Sequence, residues 1–355
     1  MAAMAGTVTL PRTLADVSAA WFSAALSQRY PGTRVTSLTP DAVINGMATK
    51  ARYLLRYNAA GDGHGLPGSM WLKSGFEAHS ARSAQLYAAE VSFFRDIAPV
   101  AGINTPATYF EAIDSSTGNG VLLMEDLTER GVTFGTQTRP ISPDVAASLL
   151  AIQARYHSFL LRRPGAGLSW LSVGGAIHAV DVAGEYLDFW PTASSRPRWA
   201  HVPAVLDDPG RIEAGMRTML ALDRGESRWL VHGDPHLGNL FFDASGNGGF
   251  LDWQTVMRGS WAFDLAYFLI MSLSVADRRA HERDLIRDYL DRLRAEHGLA
   301  PGFDDAWTAY RQHAMWSFLT VLCPVERQSE EICLAHAERV GAALVDLETL
   351  ASLDA

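Results

Sequence analysis

The chain has 355 residues, 48% of them hydrophobic and 19% charged, which is the composition of a soluble globular protein with ample material for a core in one large domain or two moderate ones. A formal net charge of −9 argues against a sequence-independent nucleic-acid binder, which presents a basic surface. Only Cys323 and Cys333 occur, with no CxxC pair; a disulfide framework is not indicated and two reduced thiols are expected.

The start, "MAAMAGTVTLPR", has no basic residue before Arg12 and no long apolar run, so it makes a poor signal peptide. The most apolar later run, "FDLAYFLIMSLSVADR", is bounded by Asp264 and Asp277 and is too short to span a bilayer. No membrane span and a cytoplasmic location are expected.

Residues 13–29 place Leu14, Val17, Trp21 and Ala25 at helical spacing. Two strand-like runs follow, 50–57 and 69–74, joined by the Gly-rich "NAAGDGHGLPG". Residues 80–98 read as a helix ending at Pro99. "ATYFEAID" and "GVLLMEDL" read as two more strands around the turn "SSTGNG". Beyond Leu127 the character changes. Residues 142–160 are helical, with Ser142 and Pro143 as cap and first turn. Residues 161–200 follow no pattern, and 207–225 read as a helix. Two short apolar runs, "RWLVHG" and "NLFFD", then flank a polar stretch, a turn "DASGNGG" leads to the strand "GGFLDWQTV", and from Phe263 nearly everything is helical. The division falls near Met124–Leu127.

The polar stretch, within "WLVHGDPHLGNLFFD" (229–243), carries the chemistry. Transfer of a phosphoryl group to a hydroxyl needs a carboxylate to orient and deprotonate the hydroxyl, oxygen ligands for Mg²⁺, and a cation on the other phosphates. Asp234 supplies a carboxylate and Asn239 an amide oxygen. The hairpin after Asn239 returns a second carboxylate, Asp252, to the same end. This D-x4-N…D order has the spacing of the protein-kinase catalytic loop and metal aspartate.

"HGDPHLGN" followed by "LDWQTVMRGSWAFDLAYFL" resembles the aminoglycoside-phosphotransferase and choline-kinase superfamily, most closely its ecdysteroid-kinase-like branch and bacterial relatives. The resemblance is sharp over about 229–270 and holds in outline over 45–127. It implies an α+β, protein-kinase-like two-lobe fold. A small N-terminal nucleotide-binding lobe (1–125) would have an antiparallel sheet, and a large, mainly helical lobe (126–355) would carry catalysis and the acceptor. It also implies a phosphotransferase acting on the hydroxyl of a small molecule, with ATP as donor, GTP left open, and Mg²⁺. Carried over residue by residue, Asp234 is the catalytic base, Asn239 and Asp252 hold the metal, and His232 and Asp264 support the loop. Lys73, in "MWLKSG", contacts the α and β phosphates, Glu90 is its helix partner, and Glu125 to Leu127 form the hinge facing adenine. The departure lies at the phosphate loop. No GxGxxG occurs there, and "INGMATKARY" offers only Gly46, with Asn45 and Thr49 as polar contacts.

Two other readings stand beside this one. His232, Asp234 and His236 form an H-x-D-x-H run that a zinc metallohydrolase could use. A non-catalytic nucleotide binder on the same scaffold is the other, although every motif acid is intact. Within the kinase reading, His236 lies near the acceptor. Trp307, Tyr310, His313 and Trp316 sit at helical spacing and are candidates for an apolar acceptor wall, which favours a sterol-like, polyketide or aromatic alcohol. Asp304, Asp305, Glu330 and Glu331 keep a cationic acceptor open. The sequence leaves the oligomeric state undetermined.

Overall fold

The computed structural model describes residues 8–77, 80–225 and 227–354; the leader expectation for 1–12 therefore rests in part on residues 1–7, which lie outside the described residues. The chain forms two compact units, Met1–Val100 with Thr105–Val132, and Ala101–Asn104 with Thr133–Ala355.

The first unit is built on a five-stranded antiparallel sheet. Its strands are β1 (Val35–Ile44), β2 (Thr49–Tyr57), β3 (Ser69–Ser74), β4 (Thr108–Ile113) and β5 (Gly120–Glu125), in the order β1-β2-β3-β5-β4. Along β2 burial alternates strictly from Thr49 to Leu55, so Ala51, Tyr53 and Leu55 face one core while Lys50, Arg52 and Leu54 face outward. The expected helix at 13–29 divides. A 3-10 turn covers Leu14–Asp16, and Ser18 then caps α1 (Ala19–Ser27) by accepting the Trp21 N–H at 3.2 Å. Helix α1 lays Trp21, Phe22, Ala25 and Leu26 on the sheet against Tyr53, Met70, Leu72 and Phe110.

Strand β1 has no counterpart among the expected runs. It carries Pro40, buries one residue, and pairs with β2 through two register shifts; an edge position tolerates a proline and bulges that a central strand would not. The Gly-rich connection contains a single turn of helix, α2 (Ala59–Gly63). The helix at 80–98 proves to be α3 (Ala84–Ser92), a π-helical segment at Phe93–Ile97, and α4 (Ala98–Ala101). It runs past Pro99 instead of stopping there, because Pro99 falls in the first turn of α4, where a missing N–H costs little.

The second unit is mostly helical, giving an α+β protein. Its elements run β6 (Thr133–Phe134), α5 (Pro143–His157), α6 (Phe159–Arg162), α7 (Val182–Leu187), α8 (Trp190–Ser194), α9 (Pro209–Gly225), β7 (Trp229–Val231), β8 (Leu240–Phe242), β9 (Gly248–Phe250) and β10 (Met257–Gly259). Then come α10 (Trp261–Ser272), α11 (Val275–His297), α12 (Phe303–His313), α13 (Leu319–Leu322), α14 (Glu330–Asp346) and α15 (Thr349–Leu353). Small sheets β6-β8-β9 and β7-β10 frame the motif stretch. Every residue of α10 is buried, so the apolar run at 263–273 is a core helix. Among the described residues no helix is long and apolar enough to cross a membrane. The unpatterned 161–200 region holds α7, α8 and a 3-10 turn at Pro197–His201, pinned by buried Arg198, whose guanidinium donates to the carbonyls of Val321 (3.2 Å) and Cys323 (2.7 Å). Cys323 and Cys333 are free, buried thiols.

Candidate active site

The motif stretch leaves β7 at Val231 and enters β8 at Leu240. The intervening loop is shaped by Asp264 in the first turn of α10. Its Oδ2 accepts the His232 N–H at 2.7 Å and its Oδ1 the Gly233 N–H at 2.8 Å. Gly233 adopts φ +87°, and a Cβ there would lie 2.7 Å from the Thr255 carbonyl oxygen; only glycine fits this turn. Asp264 is fully buried. The Tyr156 hydroxyl donates to its Oδ2 at 2.7 Å, and His157 Nε2 lies at 3.2 Å, while the other His157 nitrogen meets the Tyr289 hydroxyl at 2.7 Å. Burial alone would raise the Asp264 pKa, but the bonds from His157 and Tyr156 and the nearby His232 outweigh it and hold it below the ordinary value.

His232 is also fully buried. Its Nε2 donates to the Leu251 carbonyl at 2.8 Å and its Nδ1 accepts the Asp234 N–H at 3.2 Å. That pattern needs one ring proton, in keeping with burial pushing the ring's pKa down. Both nitrogens are occupied, so His232 has no lone pair for zinc. Among the described residues no group of three or more His, Cys, Asp or Glu side chains could hold a metal ion. The metallohydrolase reading therefore lacks its ligand set.

Asp234 projects from this loop. Its carboxylate receives Asn239 Nδ2 at 3.2 Å, and its carbonyl receives the same amide at 2.9 Å. With Nδ2 doubly engaged, Asn239 Oδ1 accepts from no donor among the described residues, although Asn239 is only 9% exposed. The hairpin β8–β9 pairs Leu240 with Phe250, and the Leu251 N–H returns to the Asn239 carbonyl at 2.8 Å. One residue on, Asp252 takes a left-handed conformation, φ 60°, ψ 61°. Such a conformation is uncommon for a residue with a Cβ, and aspartate is among the few that adopt it readily. Asp252 lies within electrostatic reach of both Asp234 and His232. Desolvation raises the Asp234 pKa and the Asp252 charge adds to this, against the pull of His236, His232 and a hydrogen bond from Tyr267. His236 Nε2 stands 3.5 Å from Asp234 Oδ2, and its Nδ1 accepts the Gly238 N–H at 2.9 Å. An amide oxygen without a donor, beside the Asp234 carboxylate and with the Asp252 charge within electrostatic reach of Asp234, is a hard-oxygen donor set of the kind Mg²⁺ prefers.

In the first unit Lys73 and Glu90 meet. Lys73 Nζ lies 2.7 and 2.8 Å from the two carboxylate oxygens, with side-chain exposures of 5% and 2%. Helix α3 reaches the sheet because β5 begins with Gly120, where a Cβ would stand 2.5 Å from the Tyr87 carbonyl oxygen. Thr49 is buried and its hydroxyl donates to Glu77 at 3.1 Å. The Glu125 carboxylate accepts the Ala107 N–H at 3.0 Å and the Arg130 guanidinium at 3.4 Å. Leu127 is buried at the start of a 3-10 turn.

The aromatic stripe on α12 lies elsewhere. Tyr310 is fully buried and donates to Glu282 at 2.8 Å, His313 is buried with Nδ1 bonded to the Ala309 carbonyl at 2.8 Å, and Trp307 lies 4.0 Å beneath the Arg283 guanidinium. These three side chains belong to helix packing and are not gathered with Asp234. The sequence reading missed Tyr156, Tyr289 and Tyr267, and saw His157 only as a spare ligand for the zinc alternative. Tyr267 was findable: it follows Asp264 by three residues, one turn along the same helix face. The other three come from α5 and α11, and no spacing announces them.

A comparison with curated proteins finds no match. Among solved structures, a spectinomycin phosphotransferase in complex with ADP and spectinomycin is similar at a TM-score of 0.50 and 13% identity, over 94% of this chain and 99% of that one. An aminoglycoside 2'-phosphotransferase with GDP aligns at a TM-score of 0.48 and 12% identity, over 93% of this chain and 99% of that one. The choline kinase LicA from Streptococcus pneumoniae aligns at 0.45 and 12%, over 88% and 94%. The first of these likenesses carries the two-lobe, protein-kinase-like fold. The sequence model of a phosphotransferase enzyme family matches residues 43–313, a span that takes in the Lys73–Glu90 pair, the Asp234 loop and the Asp264 clamp alike, and the chain therefore belongs to the phosphotransferase enzyme family.

Proposed function

We propose that this phosphotransferase moves the γ-phosphoryl group of ATP to a hydroxyl of a small molecule, with Mg²⁺. The observation that supports it most directly is Asn239, whose amide nitrogen is spent on Asp234 while its oxygen lacks a donor among the described residues, with the Asp252 charge within electrostatic reach of Asp234. Asn239 Oδ1 and the Asp252 carboxylate hold the metal in this reading. When bound, Mg²⁺ neutralises charge on the phosphates. Asp234 orients the acceptor hydroxyl and takes its proton. His236, 3.5 Å away, borders the acceptor hydroxyl. The first unit takes the nucleotide. Lys73, fixed by Glu90, meets the α and β phosphates, the backbone of Glu125 to Leu127 faces adenine, and Thr49 contributes only by releasing Glu77.

The test is thermal melting with Mg²⁺–ATP, Mg²⁺–GTP and zinc, on the wild type and on Asp252→Asn. Asparagine tolerates the left-handed backbone, so the substitution removes charge with little added strain. A ligand at 100 times its dissociation constant stabilises the folded state by about 2.7 kcal/mol. A Mg²⁺-dependent ATP shift that disappears in Asp252→Asn is the expected result. A shift with zinc and none with either nucleotide would overturn the reading.

A further inference from the structure

Within electrostatic reach of Asp234 stands an arginine–aromatic cluster that the transfer chemistry does not use. Tyr186 at the end of α7 and Phe189 just after it set their rings edge to face, 6.2 Å apart. Arg327, in the loop between α13 and α14, places its guanidinium 5.5 Å from the Phe189 centroid and 5.8 Å from that of Tyr186. The Tyr186 hydroxyl lies within electrostatic reach of both Arg327 and Asp234. The next residue, Gln328, bonds His336 Nδ1 at 3.0 Å, and His336 feels the charge of His236, the neighbour of Asp234.

Among the described residues Arg327 has no carboxylate partner. Glu330, in the first turn of α14, is committed to Arg198 at 3.1 Å. A second cation nearby, Arg339, is 6% exposed and donates only to the carbonyls of Gln137 (2.9 Å) and Met271 (2.6 Å). A guanidinium stacked on aromatic faces still presents its edge N–H groups, in the fork that matches a carboxylate or phosphate.

We infer that Arg327 is a specificity-determining residue and that the acceptor is an alcohol with an apolar, aromatic-compatible body and an anionic group. The anionic group meets the Arg327 edge, the body lies along Tyr186 and Phe189, and the hydroxyl reaches Asp234. This rests on the phosphotransfer reading for the hydroxyl, but the anion preference is a binding property and is measured without nucleotide.

The experiment is calorimetric titration of the full chain with three matched probes: hydroxymethylbenzoate, its methyl ester and hydroxymethylbenzylamine. The carboxylate is expected to bind at least about tenfold tighter than either neutral or cationic analogue. That preference should vanish in Arg327→Gln and survive in part in Arg327→Lys, with the melting temperature of each variant establishing that it is folded. Tightest binding of the amine, equal binding or no binding of all three at millimolar concentration, or an unchanged preference in Arg327→Gln would overturn the inference. Failure of the ATP-dependent melting shift with the carboxylate preference intact would instead remove the phosphotransfer reading and leave the anion site standing.

Discussion

Asp264, in the first turn of α10, accepts the main-chain N–H of His232 at 2.7 Å. One buried carboxylate thus sets the backbone from which Asp234 and Asn239 project, and it does so from a helix that is buried on every side. Rigid support of this kind keeps a catalytic side chain in place.

Asp264→Asn tests the clamp. The substitution is nearly isosteric, but its amide turns one acceptor oxygen into a donor facing N–H and O–H groups from Gly233, His232 and Tyr156. Loss of a buried, hydrogen-bonded charge with donors left unpaired costs about 3 kcal/mol. Urea unfolding with an unchanged slope should show that loss, together with a fall in kcat. A change below about 0.5 kcal/mol, the range of an ordinary surface substitution, would remove Asp264 from this role.

Asp234→Ala separates chemistry from nucleotide binding. Asn239 keeps its bond to the main-chain carbonyl of residue 234, so the loop should persist. General-base catalysis contributes roughly 10²- to 10⁴-fold, and turnover should fall within or beyond that range while Mg²⁺–ATP still raises the melting temperature. Turnover near wild type would refute the assignment.

The Lys73–Glu90 pair predicts a split between stability and activity. Replacing one partner alone leaves a buried charge and costs about 3–5 kcal/mol. The double variant Lys73→Met/Glu90→Leu fills similar volume without charge and should recover most of that stability. Activity should not recover, because the cation for the phosphates is gone. An active double variant would make the pair purely structural.

Asp126 gives a pH signature in the first unit. Burial would raise its pKa, but bonds from Ser69, Thr128 and Arg52 outweigh burial and lower it to about 2. The folded pKa lies below the unfolded value of about 3.9, so the stabilisation is complete above pH ~4 and is lost as pH falls through ~2. The shift corresponds to about 2 kcal/mol. Asp126→Asn should therefore be less stable than wild type at neutral pH, with the gap closing in acid. A gap of constant size from pH 7 to 2 would show that hydrogen-bond geometry, not ionisation, is responsible.

Short-range chemistry was legible without the fold. The D-x4-N…D order implied a turn and hairpin that return Asp252 beside Asn239, and β8 and β9 form that hairpin. Four of the five strands of the first sheet, and the long helix α11 with its stop at Gly298, follow from alternation, period and turn residues. Strand β1 was hidden because an edge strand with a proline and two bulges shows no alternation. The α12 aromatics illustrate the opposite limit, since helical spacing says which residues share a face but not what covers that face.

The sequence by itself determined the family and the α+β class, because these depend on residue type and on separations of a few positions. The tertiary structure alone decided that Asp264 is clasped by Tyr156 and His157 from a helix more than 100 residues away, that His232 has no free nitrogen, and that Arg327 stands over Tyr186 with no ion-pair partner among the described residues. Each depends on contacts between distant segments and on desolvation. Their energies arise only when the chain closes around them, so no local pattern of residues encodes them.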